Sequence, residues 1–326
     1  MKREAIGSWQ EITLADIFFA FRKAKADCFF ERSICIATEF AEYEKDLAQK
    51  LTDLLTRLQA GEITEVLAQN LGQTRVVAKK LEAVPKPQNK VSEREGHSFF
   101  SDPARAFERL CASHDLTPEF RLIGDFPVEM HVLSALWINL VGHKFDAVLS
   151  KSAYGSRLRR YRPEPGAPKD SMGNYHLEAI GSFQPYFGPY KEWRSRGLNA
   201  IRSELKAGHA VVAISMDLTS FYHRVDPVFI ADSRFHTDAG ITLSNWELEF
   251  TKAFTDCLVE WSERTANEMH TLGCSKQDVI VGGLPIGLSI SRVAANALLV
   301  GLDREIEKGL TPVYYGRYVD DLFLDR

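Results

Sequence analysis

Val313-Tyr-Tyr-Gly-Arg-Tyr-Val-Asp-Asp-Leu-Phe-Leu324 is the stretch on which the reading of the fold turns. Two runs of strand-forming residues, Val313 to Tyr315 and Leu322 to Leu324, flank a polar centre with adjacent carboxylates at Asp320 and Asp321. The pattern predicts a tight antiparallel hairpin with both carboxylates at its tip. Neighbouring aspartates in a segment otherwise suited to a sheet repel each other, and a divalent cation is the simplest compensation. A lone Asp-Asp pair is more often a solvated turn. What distinguishes this one lies upstream.

The run Ala210 to Met216 predicts a buried strand, with Asp217 at its C-terminal end, where open sheets present ligands. Tyr222, five residues on, carries an aromatic ring round the turn toward the same place. Between Asp217 and the hairpin lies Gly282-Gly-Leu-Pro-Ile-Gly287, a turn that lets backbone approach a flat ligand and that leads into a helix rich in small residues. Asp217 and Asp320 are 103 residues apart, a span that a helical connection covers while returning the chain beside its first strand. Convergent acids at neighbouring strand ends suit two-metal phosphoryl transfer. No Walker A sequence and no GxGxxG turn occurs, so P-loop and Rossmann chemistry are not indicated.

The formal net charge of −4 argues at first against nucleic acid, which is bound through Lys and Arg. The average hides an asymmetry. From Lys151 to Lys206 there are eleven Lys or Arg against five Asp or Glu, a net of +6, which leaves −10 for the rest. In this segment cations alternate with rings, Tyr154, Tyr161, Tyr186, Phe187, Tyr190 and Trp193, a composition suited to holding phosphates while stacking on bases.

These elements together resemble the reverse transcriptases. Ala210 to Val225 is similar to their motif A, Gly283 to Leu299 to motif B, and Tyr318-Val-Asp-Asp321 to the tyrosine-x-aspartate-aspartate box of motif C. The resemblance covers roughly residues 151–326. Leu284-Pro-Ile-Gly287, the Tyr154-Gly-Ser-Arg-Leu158 segment and the long helical N-terminus look most like the bacterial antiphage, abortive-infection-type members.

The resemblance implies an α+β chain with the fingers and palm of a right-hand polymerase and an antiparallel palm sheet, preceded by a mainly helical N-terminal region, the thumb missing from this chain. It implies an RNA-directed DNA polymerase acting in antiphage defence, with Mg2+ or Mn2+ as cofactor. Asp217 and Asp320 are then metal ligands with the backbone carbonyl of Leu218, and Asp321 is the third catalytic carboxylate. Tyr222, with Phe221 beside it, matches the aromatic steric gate against a 2′-hydroxyl, and Gly287, Arg157 and Arg194 are nucleotide-binding candidates. Lys151, Arg159, Arg160, Lys191, Arg196, Pro285 and Ile286 are candidates for nucleic-acid contact. Ile286 stands where motif B commonly has glutamine, which implies atypical templating or priming. The implied partners are RNA or DNA and deoxynucleoside triphosphates, with room for a non-coding RNA, a second reverse transcriptase subunit or a further copy of the chain. Alternatives are a catalytically silent RNA-binding scaffold on the same fold, a template-independent DNA polymerase, and a nucleotidyl cyclase, which would need neither the motif B turn nor Tyr222.

The remaining sequence supplies a frame. At 326 residues, with 45% hydrophobic and 26% charged, it is long enough for a sizeable core and ordinary for a globular protein. Helical spacing at Leu14, Ile17, Phe18 and Phe21, and at Leu47, Leu51, Leu54, Leu55 and Leu58, predicts a helical region over residues 1–85. Val84-Pro-Lys-Pro-Gln-Asn-Lys90 reads as a linker, opening a segment (86–150) that is again helical around Phe107 and along Met130 to Val141. Residues 151–209 form the basic fingers-like segment, ending in a short helix from Gly197 to Lys206, and residues 210–326 the palm. Five scattered cysteines suggest buried thiols. His131 and His143 lack partners at ligand spacing. No membrane span or secretory signal is apparent, so a cytoplasmic protein is expected.

Overall fold

The computed structural model describes residues 6–31, 34, 36–86, 102–163, 165–166, 172–271 and 283–325. The chain is a mixed α+β structure with small sheets. It divides into two compact units, one of residues 1–73 with 124–326, the other of Thr74–Ile123.

In the first unit four helices lead, α1 (Leu14–Phe30), α2 (Ala37–Lys45), α3 (Leu47–Gln59) and α4 (Ile63–Gln69). α1 starts in a capping box: the Thr13 side chain accepts from Asp16 N, and the Asp16 carboxylate accepts from Thr13 N. The second unit is a strand pair, β1 (Gln73–Pro85) and β2 (His114–Asp125), with α5 (Pro103–Ser113) between them in sequence. The helical expectation for 1–85 therefore ends at Gln69, and between the helices expected around Phe107 and along Met130 to Val141 the segment 86–150 contains the strand β2. β1 carries Thr74, Val76, Val77 and Val84, β-branched residues that suit a pleated surface and outweigh any helical spacing. Of the predicted linker, Val84 and Pro85 close β1, and 87–90 lie outside the described residues.

The chain returns to the first unit through α6 (Val128–Trp137), a π-helical turn (Ile138–Gly142) and α7 (His143–Ala147). Every residue of α6 except Glu129 is buried, as expected of a helix apolar all round. α1 packs on one side of it and α12 (Ser289–Leu298) on another, and Trp137 Nε1 donates to Thr251 Oγ1 at 3.1 Å on α11 (Asn245–Thr271). His131 and His143 belong to this packing; burial lowers both imidazoles to about 4. Cys28 and Cys257 are buried thiols, and burial pushes Cys257 up to about 12. Cys35 and Cys274 lie outside the described residues.

A loop region then leads to α8 (Phe187–Lys206), ten residues longer at its N-terminal side than the predicted helix. After it come β3 (Ala213–Asp217), α9 (Phe221–Arg224), a 3-10 turn (Pro227–Ala231), α10 (Ser233–Ala239), α11, α12, α13 (Val300–Glu305), a π-helical turn (Ile306–Leu310), β4 (Tyr314–Tyr318) and β5 (Asp321–Asp325). The last three strands form an antiparallel sheet in the order β3-β5-β4. On one face Tyr315, Leu322 and Leu324 cluster with Ile306; against the other lies α8, whose Gly197 leaves room for Phe323. β3 is an edge strand with all five residues exposed, contrary to the buried strand predicted. The small cluster at Ile306 reaches the hairpin strands and leaves Ile214 and Met216 uncovered.

Among the described residues no helix is long and apolar enough to cross a membrane.

Candidate active site

The predicted hairpin forms, with Tyr318 paired to Asp321 across a two-residue turn, Val319-Asp320; only Asp320 lies at the tip, and Asp321 is the first residue of β5. Val319 sits at φ 60°. A β-branched side chain there is a genuine outlier, at a cost of roughly 1–3 kcal/mol, and persists only where its surroundings over-determine it. Three contacts do so. Arg317 Nη1 donates to the Val319 carbonyl at 2.8 Å, and Leu218 N donates to the Asp320 carbonyl at 3.1 Å. Gly155 packs so closely that a Cβ there would stand 2.7 Å from both Val319 N and Val319 Cγ2.

β3 brings the upstream acid to the same place. Asp217 is the direct cross-strand partner of Asp321, so the two carboxylates leave the same face of the sheet. Burial first, and the charge of Asp217 second, raise the Asp321 carboxyl above its ordinary value. Uncompensated negative charge of this kind suits a divalent cation. Among the described residues no three acidic, His or Cys side chains already stand together as a metal cage.

From Asp217 the chain continues through Ser220 at φ 54° into α9, with the Leu218 carbonyl accepting from Phe221 N at 3.1 Å. Tyr222 and Phe221 are half-buried at the border of the main core. The Tyr222 phenol is raised chiefly by burial, with Arg292 opposing and the charge of Asp320 adding to the rise. Tyr222 is also where the segment after Asp217 meets the glycine turn that begins at Gly283. Its carbonyl accepts from Leu284 N at 2.8 Å, and a Cβ on Gly283 would fall 2.3 Å from that carbonyl. Gly283 and Gly287 take φ 74° and 106°, so both need glycine; Gly282 lies outside the described residues. The Ile286 carbonyl accepts from Gly124 N at 2.9 Å, while Ile290 N, in the first turn of α12, donates to Ser134 Oγ at 2.8 Å.

The basic candidates separate into two groups. Arg157 is turned inward: Nε donates to Asp146 Oδ1 at 3.0 Å, Nη1 to the carbonyls of Ser150 and Ala153, and Nη2 to the Asp146 carbonyl and Met172 Sδ. With all five donors engaged it has none for a nucleotide, which corrects its expected role. Arg160 meets the same Asp146 through Nε at 3.0 Å and Nη2 at 2.8 Å, and Arg159 Nε bonds the Phe183 carbonyl at 2.8 Å. Both fasten the loop. Lys191, Arg194 and Arg196 lie exposed along α8, Arg196 paired with Glu192 at 2.6 Å, and Lys151 is exposed as well. Pro285 is buried, which removes it as a surface for nucleic acid, while Ile286 and Gly287 are half-buried.

Two cations escaped the sequence reading. Arg292 on α12 stacks over the Phe183 ring at 3.8 Å, and Arg317 stands fully buried behind the turn. Strand alternation carries a signal for the second, because Arg317 shares its face with Tyr315 and is opposite in sense to Tyr318.

No family model matches the chain, and no curated protein matches it either.

Proposed function

We propose that this chain carries the fingers and palm of a reverse transcriptase-type DNA polymerase, of the bacterial antiphage kind, acting in the cytoplasm on nucleic acid and deoxynucleoside triphosphates. The observation that carries the proposal is the register of Asp217 opposite Asp321, next to a strained turn bearing Asp320, with the Gly283 turn locked against Tyr222. A solvated Asp-Asp turn would need none of these.

Asp217, Asp320 and the Leu218 carbonyl would hold Mg2+ or Mn2+, with Asp321 beside them. Two such cations held there would supply the chemistry of two-metal phosphoryl transfer, one lowering the pKa of a primer 3′-hydroxyl and the other neutralising charge on the leaving pyrophosphate. The protein's own groups then have distinct tasks. The hairpin fixes the carboxylates, the Tyr222 ring supports the incoming sugar, and exposed Lys191, Arg194 and Arg196 on α8 attract phosphates.

Purified protein is expected to incorporate deoxynucleotides with Mg2+ or Mn2+, and the double substitution Asp320→Ala, Asp321→Ala to abolish incorporation. Undiminished incorporation by that variant would end the proposal.

A further inference from the structure

The Arg317 guanidinium has no exposed surface, yet each of its five N–H groups has an acceptor. Nε and Nη2 grip Asp303 Oδ1 and Oδ2 at 2.8 and 2.7 Å, in the two-pronged geometry that suits Arg and carboxylate. Nη1 donates to Asn296 Oδ1 at 2.7 Å and to the Val319 carbonyl at 2.8 Å, and Nη2 reaches the Asn296 carbonyl at 3.3 Å. The acceptors are tied down in turn. Tyr315 Oη donates to Asp303 Oδ1 at 2.6 Å, and Asn296 Nδ2 to the Gly155 carbonyl at 2.7 Å. The Arg317 backbone lies between Ser152 and Tyr154, with N to Ser152 O at 2.7 Å and O from Tyr154 N at 2.8 Å. One side chain thus joins α12, α13 and the turn, and its main chain adds the loop that ends at Gly155.

We infer that Arg317, acting through Asn296 and Asp303, is the positioning residue that holds Val319, the first residue of the turn, in its left-handed conformation and so aims Asp320 and Asp321. The inference rests on the polymerase reading for what the carboxylates do, but not for how the turn is held. A buried ion pair is a poor device for stability alone, since apolar replacements often do as well or better. What this one supplies is a donor to the carbonyl of the one hairpin residue whose φ is unfavourable. Lysine has only three donors around a point charge and cannot reproduce the planar fork.

The test compares full-length wild type, Arg317→Lys, and Arg317→Lys with Val319→Gly. Each is measured for thermal unfolding, Mn2+ binding by electron paramagnetic resonance, deoxynucleotide incorporation, and amide hydrogen exchange over residues 313–325. Arg317→Lys is expected to exchange at least ~10-fold faster in the turn, to lose roughly 10–100-fold in kcat and in Mn2+ affinity, and to keep its KM for nucleotide. Val319→Gly should recover part of both losses, because glycine takes the same φ without a side chain to strain. A merely structural arginine predicts a loss that follows Tm and gains nothing from Val319→Gly, and that result overturns the inference, as does a folded Arg317→Lys with wild-type kcat and exchange. Should Arg317→Lys not fold, Asn296→Ser takes its place with the same expectations and the same overturning result. If wild type neither binds Mn2+ nor incorporates nucleotide, the polymerase reading falls, and the clamp is judged by exchange alone: faster exchange sustains it and unchanged exchange rejects it.

Discussion

Asp321 shows what one cross-strand neighbour does to a carboxylate. Burial and Asp217 both disfavour its charge, so its pKa is higher in the folded protein than in the unfolded chain. The sign of the linkage follows. The folded state holds the proton more tightly, so the contribution to stability is present in acid and is lost as pH rises through the raised pKa. At neutral pH without divalent cation the pair is a burden on the fold. Asp321→Asn should therefore raise Tm at pH 7 in the presence of a chelator, and the gain should vanish at about pH 3, below the ordinary carboxylate range. Mn2+ should raise the Tm of wild type more than that of the variant. A lower Tm for Asp321→Asn at pH 7 with chelator would show that Asp217 and Asp321 are not in conflict. The aspartates themselves were legible from the sequence, because two adjacent acids amid strand formers are conspicuous. For Arg317 strand alternation signals only the face it takes, and for Asn296 there is no signal, because what makes both matter is who accepts their hydrogen bonds.

Among the elements, α8 was the least well foreseen. The sequence predicts only a short helix from Gly197 to Lys206 at the end of a basic fingers-like segment, yet α8 begins at Phe187 and lies against the sheet. Tyr314 Oη donates to the Trp193 carbonyl at 2.8 Å, and Tyr318 meets Tyr190 edge to face at 5.2 Å and Trp193 at a tilt at 5.9 Å between ring centroids. Gly197 makes this approach possible. An alanine there would favour an isolated helix by about 1 kcal/mol, but its Cβ would stand 2.2 Å from Phe323 Cε1 and 3.1 Å from Tyr314 Cε1. Overpacking costs typically ~1–3 kcal/mol, so the clash outweighs the propensity. Gly197→Ala is expected to lower the urea midpoint with an unchanged m-value; a higher midpoint would mean that the ring moves aside freely. The N-terminal helices are likewise no separate region: Lys23 on α1 is fully buried and donates to the Tyr175 hydroxyl at 2.5 Å and the His176 carbonyl at 3.1 Å.

At the scale of the whole molecule, charge is the property that composition averages away. The segment 151–206 is strongly basic in an acidic chain, but part of that charge is neutralised internally at Asp146. The cations that face solvent along α8 are Lys191, Arg194, Arg196, Arg202 and Lys206. Removing Lys191 and Arg194 together should weaken single-stranded nucleic acid binding and flatten the slope of log K against log salt by about 1.4, or ~0.7 per lost phosphate contact. An unchanged slope would place the nucleic acid elsewhere. By itself the sequence determined the helices with a strong apolar period, the hairpin and its acidic tip, and the order of Asp217, the glycine turn and the Asp-Asp pair, because each is written in local spacing and side-chain chemistry. Tertiary structure alone decided that β3 is an exposed edge, that Thr74–Ile123 forms a unit of its own, that Arg157 and Arg160 face inward, and that Arg317 braces the turn. Burial and hydrogen-bond partners are set by residues far apart in the chain, and no local pattern encodes them.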